Sequence, residues 1–369
     1  MKNNKTQKFD LTFLLLVFGI VIFGLIILAS ASGPVAYERF GDSYYFLKHQ
    51  IFQGLIPGLI AFSVTFFTPY IFWQKNAFPM LLLSLFLLIL VFIPGIGADF
   101  GTFAHSWVAI GNFSFQPAEI AKFTFLIYLA AWTGKRGKEI KNVNEGLIPF
   151  LVILVVMSGL ILMQPDMGTL TIIAAMSFAV YFVAGGSLPH LLGIGGLGLT
   201  AFWVLISSSP YRAERFTTFM HPEYDPQGIG YQINQALLAI GSGGLMGRGY
   251  GHSLQKFQYL PEVIGDSIFA VMSEELGFIF TVSYLLLFLF LLYRGFKIAE
   301  GAEDAFGKYF TVGVMTWIGV QAFVNIGAMV SILPITGVPL PFLSYGGTSL
   351  IIILAAIGLV LNISRTADN

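Results

Sequence analysis

The stretch KFQYLPEVIGDSIFAVMSEELGF (256–278) ends a long polar connector and begins a strongly apolar segment. It holds one basic residue, Lys256, and four carboxylates, Glu262, Asp266, Glu274 and Glu275. The apolar run that follows is long enough to cross a bilayer, so the stretch reads as the lip and first turns of a membrane span. Ionisable groups inside a span are costly and need either partners or a task. Why Asp266 stands at the lip, and why two glutamates continue inward, is the question the fold has to answer.

The rest of the chain is of the same kind. Of its 369 residues 56% are hydrophobic and 10% charged, with a mean hydropathy of +0.80, whereas ordinary soluble domains carry roughly 25% charged residues. The pattern predicts an all-α polytopic membrane protein with ten transmembrane helices, near 11–30, 47–68, 78–96, 117–132, 146–163, 168–184, 189–207, 267–293, 309–333 and 348–362. A large extracytoplasmic loop, 208–266, lies between helices 7 and 8. Several spans are short for a hydrocarbon core of about 30 Å, which implies tilt or depth lined by protein. A net charge of zero gives no bulk electrostatic case for nucleic acid. Without cysteine there is no disulfide, thiolate metal site or cysteine nucleophile. Lys2, Lys5, Lys8 and the small residues ASA at 29–31 imitate a secretory signal, but the run 11–28 exceeds a signal core and is expected to stay as the first span.

Lysine and arginine in the short connectors set the orientation. With the N-terminus in the cytoplasm, Lys2, Lys5, Lys8, Lys75, Lys135, Arg136, Lys138, Lys141, Arg294, Lys297, Lys308 and Arg365 fall inside; only Arg39 and Lys48 fall outside once the long loop is set apart. Both termini are therefore expected in the cytoplasm, in a multi-pass protein of the cytoplasmic membrane.

This topology gathers the unusual polar groups on the outer side. In QPAEIAK, Gln116 precedes Pro117, a residue suited to a first helical position. Glu119 and Lys122 follow on one helix face, either as a mutually satisfied pair locking two helices or as site residues. In QPDMGT, Asp166 caps the sixth helix or lines a cavity. The connector LPITGVPLPFLSYGGTS (333–349) is too rich in proline and glycine for plain helix. It carries Ser344, and at Gly346, Gly347 and Thr348 a helix N-terminus would present free N–H groups suited to a phosphate oxygen or simply to a capped turn. The long loop supplies Arg212, Arg215, Arg248 and Lys256, and its segment INQALLAIGSGG reads as an interfacial amphipathic helix. In the opening stretch, Pro261 and Gly265 delay the eighth helix to Asp266 or later, so Asp266 is a helix cap or a base. Glu274 and Glu275 lie about 12 Å further along at helical rise. They cannot be caps and read as network residues.

These motifs resemble the SEDS family (shape, elongation, division and sporulation), and the resemblance covers nearly the whole chain. It rests on AYERFGDSYYFLKHQ, HSWVAIGNFSFQPAEIAK, QPDMGT, GYQINQALLAIGSGGLMGRGYGHSLQKFQYLPEVIGDSIFAVMSEELG and LPITGVPLPFLSYGGTSL, in that order. The first and last are more similar to the division branch, FtsW and its sporulation relatives, than to the elongation branch, RodA. The resemblance implies ten spans, an outward catalytic cavity and peptidoglycan polymerisation. It assigns the essential acid to Asp266 and the cavity wall to Gln116, Pro117, Glu119 and Lys122. Several positions depart from the family pattern: Ser106, beside His105, stands for an arginine, GDS at Gly265 to Ser267 for TDF, and Ser331 for a glycine.

The implied substrate is lipid II, a disaccharide-pentapeptide on undecaprenyl pyrophosphate, joined with inversion at the anomeric carbon. Asp266 is the candidate general base. Lys122, Arg212, Arg215 and Arg248, a divalent cation (magnesium or manganese), and the N–H groups at 346–348 are candidates for stabilising the leaving pyrophosphate. No organic cofactor is expected. The family also implies a class B penicillin-binding protein as partner, with other proteins of the division or elongation complexes. Two rivals remain open in the sequence: a lipid II flippase, which needs a polar path at mid-membrane, and a non-catalytic scaffold for division enzymes.

Overall fold

The computed structural model describes residues 9–98, 106–111, 113–208, 210–225 and 227–366. Lys2, Lys5, Lys8 and His105, which entered the reading above, lie outside them. Among the described residues seven helices are long and apolar enough to cross a membrane. They are α1 (Leu11–Phe40), α2 (Tyr45–Phe67), α5 (Val143–Leu162), α7 (Leu188–Ser207), α10 (Ile268–Glu300), α11 (Ala305–Met329) and α12 (Gly347–Ser364). The other three expected spans coincide with helices that length and composition alone do not qualify. These are α3 (Ala77–Leu90), α4 (Pro117–Arg136) and α6 (Met167–Val183). α4 fails on its charges, and the fold compensates by burying most of it.

The centre is built from α4, α11 and α12, while α7 stands at the periphery with only Leu191 buried. Small residues let the central backbones approach, as expected where no water drives helices together. Thr65 on α2, for example, donates its hydroxyl to Ala355 O on α12 at 2.8 Å. Helix ends follow their local chemistry. Asp10 caps α1 through Phe13 N at 2.8 Å, and Asp304 caps α11 through Gly307 N at 2.9 Å.

In the connector after α3 the described residues form a small antiparallel sheet, β1 (Gly97–Ala98), β2 (Trp107–Ile110) and β3 (Phe113–Phe115), with Val108 facing Gly97 on one side and Phe115 on the other. The long connector carries two helices, α8 (Pro210–Met220) and α9 (Ile229–Ser242), with turns after them. α9 buries Ile233, Ala236 and Ala239 and exposes Leu237 and Leu238.

The eighth expected span differs most from the sequence reading. α10 is broken at Gly277 (φ 77°, ψ −179°). The freed carbonyls of Glu274 and Glu275 accept from Arg248 N (3.0 Å) and Gly249 N (2.9 Å). The freed N–H groups of Phe278 and Ile279 donate to Gly244 O (2.8 Å) and Leu245 O (3.1 Å). Backbone from the loop thus replaces the missing turn, which is how a broken helix is tolerated at membrane depth. Before the break the helix is buried in protein; after it, Phe278, Ile279 and Phe280 are exposed and apolar. The membrane-facing part therefore begins at the break rather than at 267.

Glu274 and Glu275 hold this junction together. Glu274 accepts from Ser253 Oγ (2.5 Å), Leu254 N (3.1 Å) and Gln255 N (3.2 Å) and faces Arg248 Nε at 3.4 Å. Glu275 accepts from Ser30 Oγ (2.6 Å) and Lys256 Nζ (2.8 Å). The two glutamates carried into the span tie the loop and α1 to α10.

Candidate functional site

A cavity of about 500 Å³ opens at the end of the bundle that bears the long connector. Five pieces of chain wall it: β2 and the start of α4, the turn into α6, the ends of α7 and α8, α9 with the 262–266 turn, and the segment 334–349. Its lining is mixed, with apolar residues such as Met167, Ile172, Phe202, Ile206, Ile335 and Val338 beside polar ones and the aromatic Trp107 and Tyr345.

Asp266 lies on this wall and is buried, with 9% of its surface exposed. It does not cap α10. The N-cap is Ser267, with no side-chain cap bond, and the Asp266 carboxylate receives a long contact from Gln232 Nε2 at 3.4 Å and one from its own backbone N–H. Burial, and after it the charge of Glu262, pushes its pKa up to about 7, against the pull of Arg215 and Gln232. A carboxyl in that state takes up a proton readily near neutral pH, as a general base must.

Gln116, Glu119, Asp166, Arg212, Arg215, Gly346 and Thr348 share the cavity wall with Asp266. Arg212 donates to Leu205 O at 3.0 Å and Arg215 to Ile335 O at 3.1 Å, and both line the cavity. Asp166 does cap its helix, accepting from Thr169 N (2.9 Å) and Thr169 Oγ1 (2.7 Å). Gly346 is less available than a bare helix N-terminus, since its N–H donates to Gln50 Oε1 at 3.0 Å.

Four expected residues lie elsewhere. Lys122 sits beneath the wall, fully buried, bonded to Glu119 Oε1 at 2.6 Å and Gln321 Oε1 at 3.2 Å, 4.8 Å from the Trp317 ring centre. Arg248 is drawn away to Glu274 by the broken helix. Ser344 points its hydroxyl at Gly265 O (2.6 Å), fixing the turn before Asp266 from behind. Gly347 packs against the backbone of Gln53 and Gly54, where no side chain fits between α12 and α2.

The sequence reading missed Glu262, Gln232 and Asn325. Asn325 was visible as an amide inside an apolar span, four residues from Gln321, and such residues seldom lack a role. Of the departures from the family pattern, Ser106 is a buried wall residue. Ser331 has φ 58° at the end of α11, where Ile332 N bonds Gly327 O (2.8 Å) and Ser331 N bonds Ala328 O (3.2 Å). That is a Schellman cap, whose left-handed position favours glycine.

The fold and cavity together define an integral-membrane helical protein with a buried carboxyl, Asp266, on the wall of an open cavity. Residues 10–369 match the FtsW/RodA/SpoVE family, described as "Cell cycle protein". Stage V sporulation protein E of Bacillus subtilis is 41% identical over 366 residues, covering 99% of each chain. The probable peptidoglycan glycosyltransferase FtsW of Trichlorobacter lovleyi is 40% identical, covering 98% of this chain and 94% of that one. Among solved structures, a chain described under "Structural coordination of polymerization and crosslinking by a peptidoglycan synthase complex" superposes with a TM-score of 0.80 at 31% identity, covering 97% of this chain and 98% of that chain. The rod shape determining protein RodA of Thermus thermophilus superposes with a TM-score of 0.70 at 30% identity, covering 98% of each. The chain belongs to the FtsW/RodA/SpoVE family, the SEDS proteins, and its sequence is nearer to these sporulation and FtsW relatives than to RodA.

Proposed function

We propose that the chain is a peptidoglycan glycosyltransferase that polymerises lipid II at the outer face of the cytoplasmic membrane, with both termini in the cytoplasm. The observation that carries the reading is Asp266, a buried carboxyl not committed to capping, on the wall of a cavity lined by both apolar and polar residues. Relatives named as probable peptidoglycan glycosyltransferases support it. A substrate with a sugar head and a lipid tail suits such a cavity.

In the reaction, the 4-hydroxyl of the acceptor sugar attacks the anomeric carbon of the donor. Asp266 takes the hydroxyl proton as the new C–O bond forms. The bond to pyrophosphate breaks on the opposite face, and undecaprenyl pyrophosphate leaves with its electron pair, so an α-linked donor gives a β-linked product. Arg212 and Arg215, on the same wall, supply the positive charge for the leaving group. Among the described residues no three carboxylate or imidazole groups converge as a metal cage. A bound magnesium or manganese ion would add positive charge for the leaving pyrophosphate. The partner in the proposal is a class B penicillin-binding protein that cross-links the new strands, in line with the peptidoglycan synthase complex among the similar structures.

The test is glycan polymerisation from purified lipid II, comparing the parent chain with Asp266→Asn. A loss of about 10²-fold or more, with folding unchanged, is expected for removal of a general base. Normal polymerisation by the variant would reject Asp266 as the base. Lipid II movement across vesicles without polymer from the parent chain would favour a flippase instead.

A further inference from the structure

Asp266 stands two residues before α10, just ahead of the N-cap Ser267. The turn that carries it is closed by Glu262. Glu262 occupies the left-handed region (φ 51°), and its carbonyl accepts from both Gly265 N (3.0 Å) and Ser267 N (3.1 Å). Strained backbone of this kind persists only where the surroundings enforce it and is concentrated at functional sites. The turn leaves the side chain of Asp266 free to face the cavity.

The Glu262 side chain lines that same cavity. Its carboxylate folds back over Gly265, so that a Cβ added at Gly265 would lie 3.3 Å from Glu262 Oε2. That is tighter than ordinary contact. The family pattern has threonine at this place, and a β-branched side chain would crowd the position the carboxylate now holds. Glycine at 265 and the placement of Glu262 belong together.

We infer that Glu262 is a positioning residue for Asp266: its backbone carbonyl closes the turn that presents the Asp266 carboxylate to the cavity, and its own carboxylate lies over Gly265 on the same wall. The inference rests on Asp266 being the base. The other groups facing Asp266 are Arg215 on α8, Gln232 on α9 and the Asn325 amide on α11, which holds its backbone carbonyl. Glu119, Asp166 and Arg212 line the rest of the cavity, with Lys122 bound to Glu119 below. Of the two charged groups that act directly on Asp266, Arg215 favours the ionised form and Glu262 opposes it. With Glu262 neutralised, Arg215 is left to make Asp266 a weaker base.

The experiment is the pH dependence of kcat/KM for polymerisation by the purified full chain, with lipid II as substrate. Parent, Glu262→Gln, Glu262→Asp and Gly265→Thr are compared, with Asp266→Asn in the same series. In the parent the acidic limb falls near pH 7. Glu262→Gln is expected to move it down by about half a unit or more and to lower the plateau several-fold. Glu262→Asp keeps the limb near the parent position, and Gly265→Thr moves it the same way as Glu262→Gln. Glutamine leaves the backbone carbonyl in place, so the melting temperature of that variant should match the parent.

An unmoved limb in Glu262→Gln, with Asp266→Asn inactive, overturns this inference alone. An active Asp266→Asn that retains the limb overturns both this inference and the reading beneath it.

Discussion

Asn325 on α11 donates one amide hydrogen to the carbonyl of Asp266 and the other to the carbonyl of Val338, each at 2.8 Å. One buried side chain therefore joins three elements at the cavity: the turn before α10, the C-terminal end of α11 and the proline-rich segment that follows it. The carboxyl of Asp266 can face the cavity steadily only if its own backbone is held, and Asn325 holds it.

Replacing Asn325 by leucine leaves two buried carbonyls without donors, each costing about 1–3 kcal/mol. Asn325→Asp is worse than its near-identical shape suggests, because an ionised carboxylate is an acceptor only and faces two other acceptors. Thermal denaturation in detergent should show both variants destabilised, with aspartate below leucine. Polymerisation should fall in both. A leucine variant with parental melting and activity would show that the clamp is dispensable.

The raised pKa of Asp266 has a consequence for stability as well as for chemistry. The folded-state value is about 7 against 3.8 for the free group. Between these values the folded chain binds a proton that the unfolded chain has released, so stability falls as pH rises through this window and is lowest above about pH 7. The cost above the window is at most roughly 4 kcal/mol, from three units at 1.36 kcal/mol each. Asp266→Asn should therefore melt several degrees above the parent at pH 8 and with it at pH 4. A pH-independent difference would mean that the carboxyl is not perturbed by its site.

How much of this was legible in the sequence depends on the kind of signal. The long apolar helices could be read because membrane spans announce themselves by length, and the cavity wall around Gln116, Glu119, Asp166, Arg212, Arg215 and Asp266 could be read because polar groups in such a chain are few. Arg248 could not be placed, since nothing local says that Glu274 will claim it. The break at Gly277 was hidden for a similar reason: a glycine in an apolar run is ordinary, and only the arrival of Gly244 and Leu245 from 30 residues away makes it a break. The role of Glu262 depends on a backbone angle, which composition and spacing do not encode.

That break gives a sharp test of the fold. A Cβ at Gly277 would lie 2.1 Å from Gly247 N, and one at Gly247 would lie 2.2 Å from Glu275 O, both backbone atoms that cannot swing aside. Both residues also have positive φ, 77° and 78°. Gly277→Ala and Gly247→Ala are each expected to cost about 3 kcal/mol or more, well beyond the ~1 kcal/mol of an ordinary glycine-to-alanine change in a left-handed turn. Expression and melting of the two variants check this. Gly19→Ala, on α1 with open space around it, is the control and should be nearly neutral.

The opposite substitution is informative at the end of α11. Ser331 adopts φ 58° as the left-handed residue of a Schellman cap, where a Cβ is disfavoured. Ser331→Gly should stabilise by about 1 kcal/mol, offset in part by the greater freedom of glycine in the unfolded chain. A small rise in melting temperature with unchanged polymerisation is the expected result; a fall would mean the serine side chain makes a compensating contact.

Lys122 and Glu119 pose the last question, because both are buried and joined at 2.6 Å while only Glu119 reaches the cavity. Among the described residues Glu119 Oε2 has no hydrogen-bond partner, so the pair is not closed on itself. Lys122→Met strands a carboxylate in a low-dielectric site and should cost about 3–5 kcal/mol, whereas adding Glu119→Gln removes the stranded charge and recovers most of that loss. Stability alone does not say whether the pair also serves the reaction; the double variant does. If its melting returns toward the parent and polymerisation returns with it, the pair is a lock between α4 and α11 through Gln321. If the fold returns and polymerisation does not, the charge of Lys122 acts through Glu119 on what the cavity binds. Lys122→Arg separates geometry from charge: it keeps the charge, but its planar fork cannot reproduce the close approach to Glu119, Gln321 and the Trp317 ring in a fully buried site.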